Sequence, residues 1–183
     1  MSNSISTVDV PAEDALRLDD AAAMLRLGEA TGRVLAGDHR AAKPAEHVRA
    51  VLLHGPLGAG KTTFVRGFVE ALPGSEAAEV SSPSFTLCNS YPTRPAVLHC
   101  DLYRSEDLTP DGTLANLPEE VDEALEAGEG IVLVEWAERL PAAVRPAQRL
   151  DIYFQVCQNS RFALLVPHGA AAARALAALK QAL

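Results

Sequence analysis

The stretch Val51-Leu52-Leu53-His54-Gly55-Pro56-Leu57-Gly58-Ala59-Gly60-Lys61-Thr62 decides how the chain folds. Its first three residues read as a buried strand, and Gly55 to Thr62 fill every fixed position of the pattern G-x-x-x-x-G-K-[ST]. A strand that breaks into such a loop and then into a helix turns the backbone N–H groups of Gly55, Leu57, Gly58, Ala59 and Gly60 toward one concavity. Phosphate oxygens fill a nest of this kind. Lys61 would reach the β- and γ-phosphates, the Thr62 hydroxyl would ligate Mg²⁺, and Thr63 lies in the first turn of a helix whose positive end faces the same anion. The stretch therefore points to a nucleoside triphosphate site, with a glycine-rich turn that binds nothing as the alternative.

Outward from this loop, the pattern predicts one α/β domain of the P-loop NTPase type over residues 1–183. Its sheet is mixed and mostly parallel, with helices on both faces. Residues 1–17 read as a flexible polar leader. Apolar residues at helical spacing from Leu18 to Leu35 predict a helix, capped by Asp19 or Asp20 and stopped at Gly37. Strands are expected at Val48–His54, Phe85–Tyr91, Ala96–Leu102 and Ile131–Trp136, and helices at Lys61–Leu72 and Pro118–Ala127. In the tail, Arg149–Cys157 and Arg161–Val166 flank Gln158-Asn159-Ser160 and read as a hairpin adding antiparallel strands; Ala170–Leu183 reads as a closing helix.

Composition narrows the classes. The chain has 183 residues, 48% hydrophobic and 22% charged, enough for one core without crosslinks. Its three cysteines, Cys88, Cys100 and Cys157, form no C-x-x-C and suggest reduced thiols in the cytoplasm. No signal peptide or membrane span is read from the sequence. A formal charge of −8 argues against direct binding to nucleic acid. That charge is uneven: twelve acidic residues and one basic one lie between Asp101 and Glu138, whereas six basic and one acidic follow from Arg139. Both blocks read either as solvated surface or as docking faces for partners of opposite charge.

Further strings decide among nucleotide-binding proteins. Asn-Lys-x-Asp, Asp-x-x-Gly and Leu-Ser-Gly-Gly are absent, which argues against a GTPase and a transporter-type ATPase. Asp101 and Glu135 each end an apolar strand, at the sheet edge where ligands of α/β proteins lie. One would hold Mg²⁺ and the other would orient the attacking water, in an order the residues leave open. Ser84 and Thr86 fall in a segment suited to sensing the γ-phosphate, although Ser82-Pro83-Ser84 also reads as a plain turn. His99 would orient Asp101 or the metal shell, or serve as a core residue. Trp136, the sole tryptophan, would emerge at the rim of the site or pack in the core.

Four strings occur in order: Gly-x-Leu-Gly-Ala-Gly-Lys-Thr-Thr-Phe (Gly55 to Phe64), Ser-Pro-Ser-Phe-Thr-Leu (Ser82 to Leu87), His-Cys-Asp-Leu-Tyr-Arg (His99 to Arg104) and Val-Glu-Trp (Val134 to Trp136). On these the chain resembles the TsaE family, the small ATPase of bacterial tRNA threonylcarbamoyladenosine biosynthesis, from about Leu18 to Val166. The resemblance implies a cytoplasmic, Mg²⁺-dependent ATPase working with TsaB and TsaD, which transfer the threonylcarbamoyl group and bring the tRNA. It places Asp101 and Glu135 in the nucleotide site, and with Lys61 of the loop these are the expected catalytic residues. The family usually has Thr where this chain has Ser84, and often Pro where this chain has Ala137. With no evident arginine finger in the chain, Arg161 being the best candidate, activity is expected to be feeble alone and stimulated by the partners. A small-molecule kinase and a nucleotide-dependent binding module remain the rival readings.

Overall fold

The computed structural model describes residues 14–41, 46–83, 86–105, 107–127, 130–158 and 160–183. Seven strands form one sheet: β1 (Leu16–Leu18), β2 (Ala50–His54), β3 (Cys88–Tyr91), β4 (Ala96–Asp101), β5 (Gly130–Glu135), β6 (Arg149–Cys157) and β7 (Ser160–His168). Their order is β1-β7-β6-β2-β5-β4-β3. The four central strands, β6, β2, β5 and β4, run parallel, and the outer pairings β6–β7, β7–β1 and β4–β3 are antiparallel. The expected α/β class and mixed sheet are thus observed, with the parallel pairing confined to the centre.

Alternation along β2 explains the two layers. Val51 and Leu53 enter one apolar cluster with helices α1 (Ala21–Ala41), α2 (Lys61–Glu70) and α4 (Gly169–Ala182), whereas Ala50 and Leu52 enter a second with α3 (Glu119–Ala127). Strands buried on both faces need apolar residues throughout, as the run from Ala50 to Leu53 supplies.

Three expectations need correction. The first helix starts at Ala21, not Leu18, because the Asp20 carboxylate accepts the Ala23 N–H at 2.6 Å and so caps it there. Leu16–Leu18 instead pairs with β7, so the expected leader already carries strand structure at its end; residues 1–13 lie outside the described ones. Gly37 does not stop the helix, which continues to Ala41. In the tail, β6 and β7 form the expected antiparallel hairpin, and β6 in addition pairs in parallel with β2, Ala50 facing Arg149.

Helices α1 and α2 approach closely through glycines. A Cβ on Gly28 would lie 2.1 Å from the Phe64 carbonyl oxygen, and one on Gly67 would lie 2.2 Å from that of Leu25. Gly37 has open space at the same position. Gly28→Ala is therefore expected to destabilise by about 1–3 kcal/mol or more through overpacking, whereas Gly37→Ala should stabilise by up to about 1 kcal/mol through helix propensity. Thermal unfolding of the two variants checks the opposite signs.

Candidate functional site: a phosphate loop facing two carboxylates

Strand β2 delivers the chain to the loop at Gly55, and α2 carries it away from Lys61. Only glycine suits the first position: Gly55 has φ +133, and a Cβ there would come within 2.5 Å of the Phe154 carbonyl oxygen. Lys61 is 4% exposed, and its ammonium folds back onto the loop, donating to the carbonyl oxygens of Gly55 (2.7 Å) and Pro56 (3.0 Å). Burial lowers the pKa of this ammonium, while the carboxylates of Glu135, Glu138 and Asp101 work in the opposite direction.

The two acids come together through sheet register. Strands β4 and β5 pair in parallel with Asp101 directly opposite Glu135, and both side chains are almost wholly buried. Asp101 Oδ2 accepts the Ser82 hydroxyl at 2.6 Å, and Oδ1 accepts the Tyr103 N–H at 2.9 Å. Glu135 Oε1 accepts the Thr62 hydroxyl at 2.8 Å and lies 3.0 Å from His99 Nε2. His99 thus orients Glu135, not Asp101. The Thr62 contact ties the second acid directly to the first turn of α2.

These groups open into a cleft of about 580 Å³. Leu57, Gly58, Ala59, Gly60, Thr62 and Thr63 line its loop side, and Asp101, Glu135 and Trp136 line the sheet side. Trp136 takes a left-handed conformation, φ +59, which sets its ring 4.2 Å from Lys61 Nζ and 4.7 Å from the Tyr103 ring. The residue belongs to the rim, with part of its surface against the second core cluster. Arg104 and Arg161 also reach the cleft. Thr86 is exposed, with its hydroxyl donating to Asn89 Oδ1 at 3.1 Å, and is not in the cleft wall; Ser84 lies outside the described residues.

The motifs alone did not reveal three contributors. Ala21 and Met24, at the start of α1, close one side of the cleft. Arg139 donates to the carbonyl oxygens of Leu102 (2.7 Å), Tyr103 and Ser105, pinning the loop that follows Asp101. Its signal in the sequence is its position, the first base after a long acidic block and three residues beyond Trp136.

A glycine loop between strand and helix, its buried lysine, and paired carboxylates at the ends of parallel strands define a P-loop α/β protein with a nucleotide-type site. The family model for threonylcarbamoyl adenosine biosynthesis protein TsaE matches residues 18–162. The chain belongs to the TsaE family of tRNA threonylcarbamoyladenosine biosynthesis. Among its relatives, the tRNA threonylcarbamoyladenosine biosynthesis protein TsaE of Aquifex aeolicus (strain VF5) is 42% identical over 90 residues, which cover 49% of this chain and 58% of that protein. The protein of the same description from Mycobacterium tuberculosis (strain ATCC 25618 / H37Rv) is 33% identical over 153 residues, covering 81% of this chain and 77% of that one. The crystal structure of Bacillus subtilis YdiB superposes with a TM-score of 0.64 at 26% identity, covering 91% of this chain and 93% of the other. Some matches are partial, so that the chain spans little more than half the length of the Aquifex relative.

Proposed function

We propose that this chain binds and hydrolyses ATP with Mg²⁺ on behalf of a tRNA-modifying assembly. The assembly, with TsaB and TsaD, adds a threonylcarbamoyl group to the adenosine beside the anticodon of tRNAs reading codons that begin with A. The work takes place in the cytoplasm, and tRNA is met only through the partners, in keeping with the formal charge of −8. The observation that carries this reading is the convergence of Lys61, Thr62, Asp101 and Glu135 on one cleft beside the glycine loop.

The donor set fits Mg²⁺, which takes hard oxygen ligands and is commonly held by one or two carboxylates together with substrate phosphates. Thr62, Asp101 and Glu135 offer such oxygens within one cleft. Among the described residues no group of three or more His, Cys, Asp and Glu side chains gathers as a metal site. When bound, the ion would neutralise charge on the phosphates. Lys61 would exchange the carbonyls of Gly55 and Pro56 for phosphate oxygens, and the loop N–H groups would cradle the rest. Asp101 and Glu135 would share two duties, holding the ion and orienting the attacking water. Arg104 and Arg161 line the same cleft, where their positive charge would favour the charge developing on the leaving ADP.

Trp136 makes binding readable. Because the sole tryptophan sits beside Lys61, titration with ATP is expected to change its fluorescence saturably. Phosphate release should be slow for the chain alone and rise when TsaB and TsaD are added. Equal rates in the two settings would sink the partner dependence, and loss of ATP without free phosphate would identify a kinase instead.

A further inference from the structure

Cys88 and Cys100 face each other across the antiparallel pair β3–β4. The Asp101 N–H donates to the Leu87 carbonyl at 2.9 Å, one of the two bonds of a hydrogen-bonded pair, while the Leu87 N–H turns to the Pro83 carbonyl at 2.8 Å; the next pair in register is Cys88 with Cys100. Opposed residues alternate along such a ladder, which makes Cys88 and Cys100 a non-hydrogen-bonded pair, the type with Cα atoms about 4.5 Å apart and side chains closest together. That spacing falls inside the range of about 4.4–6.8 Å found for disulfides. Both side chains enter the same apolar cluster. Cys100 is fully buried and Cys88 only partly, so an oxidant from solvent meets Cys88 first.

We infer that Cys88 and Cys100 form a redox-sensitive dithiol that closes into a disulfide on exposure to peroxide and thereby restrains the carboxylate next in sequence, Asp101. Cys88 sulfur attacks one peroxide oxygen, the O–O bond breaks, and one water leaves as Cys88 becomes a sulfenic acid. Cys100 sulfur then attacks the Cys88 sulfur, the S–O bond breaks, and the second water leaves. Two thiols are oxidised and one peroxide is reduced. Disulfides of this transient kind suit a reducing compartment.

The cleft is affected because Asp101 is held from both ends of the segment that leads into Cys88, by the Ser82 hydroxyl at one end and the Leu87 carbonyl at the other. A covalent link from residue 88 to residue 100 holds Leu87, the residue before Cys88, against the Asp101 backbone. This second half of the inference rests on the ATPase reading; the thiol chemistry does not.

The test uses the full chain carrying Cys157→Ser, which removes the exposed third thiol. After hydrogen peroxide, alkylation and trypsin, the peptide spanning residues 67–104, which holds both cysteines, is expected to be lighter by two hydrogens and to carry no alkyl group. Phosphate release, measured with TsaB and TsaD present, should fall several-fold and return with dithiothreitol, and an added Cys88→Ser should make the rate indifferent to both reagents. Alkylation of both thiols after peroxide, or oxygen adducts on Cys88 without the crosslink, overturns the pairing. A crosslink that leaves the rate unchanged overturns the restraint on Asp101. If the reduced protein releases no phosphate from ATP even with TsaB and TsaD added, the ATPase reading fails while the peptide mass still decides the pairing.

Discussion

Lys61→Ala is expected to weaken ATP binding by about ten- to hundredfold and to bring phosphate release to background. Hydrogen bonds to charged groups are worth about 1.5–3 kcal/mol, and each 1.4 kcal/mol is about a factor of ten in affinity. The ammonium is suited to this role by its place in the fold. It is almost fully buried, held by the Gly55 and Pro56 carbonyls, and faces Asp101 and Glu135. Its removal also leaves two neighbouring carboxylates with less positive charge nearby, so the remaining acids repel phosphate more strongly. Isothermal titration with ATP, alongside thermal unfolding to verify the fold, checks the expectation. Unchanged affinity in a folded variant would remove the loop from the binding site.

Legibility of the fold followed the strength of the local signal. The central strands β2, β4 and β5 are short apolar runs bounded by turn residues, and each was readable to within a residue or two because burial on both faces leaves little room for polar residues. Strand β1 was not readable. Three residues, Leu16–Leu18, are too few to show a period, and what makes them a strand is the edge of β7, a non-local partner. Gly37 looked like a stop signal because glycine weakens a helix, but packing of α1 along α2 outweighs one unfavourable residue. Parallel pairing of β6 with β2 could not be read from the hairpin, which specifies only its own two strands.

The site divided in the same way. Lys61, Thr62 and the loop glycines are contiguous, so their meeting is built into the pattern. Asp101 and Glu135 were each visible as an acid ending an apolar strand, yet their exact opposition depends on the register of β4 against β5, a property of the sheet. His99 points to Glu135 for the same reason: it lies two residues before Asp101 on the same face of β4, across from the strand that carries the other acid. Ala21, Met24 and Arg139 carry no motif of their own and join the site only because α1 and the turn after Trp136 pack around it.

Separation of the two acids is the more demanding expectation. Glu135→Gln keeps the shape and an amide oxygen able to accept from Thr62 and His99, as Glu135 Oε1 does now, so the loop and the first turn of α2 should stay in place. Only the charge is lost. ATP affinity is expected to stay within a few-fold, while phosphate release falls by about 10²–10⁴-fold if Glu135 takes part in activating the water. Asp101→Asn is less conservative. Its carboxylate accepts on both oxygens, from the Ser82 hydroxyl and from the Tyr103 N–H, and an amide can accept on only one. Ser82 can turn its hydroxyl to accept instead, but the backbone N–H of Tyr103 cannot, so the amide oxygen must stay on that side. Rates measured across a Mg²⁺ titration then assign the duties: the variant whose loss is recovered by excess ion has lost a metal-holding group, and the one that stays slow at saturating ion has lost the group that orients water. Wild-type phosphate release by Glu135→Gln would exclude this acid from both duties and leave its contacts with Thr62 and His99 as purely structural.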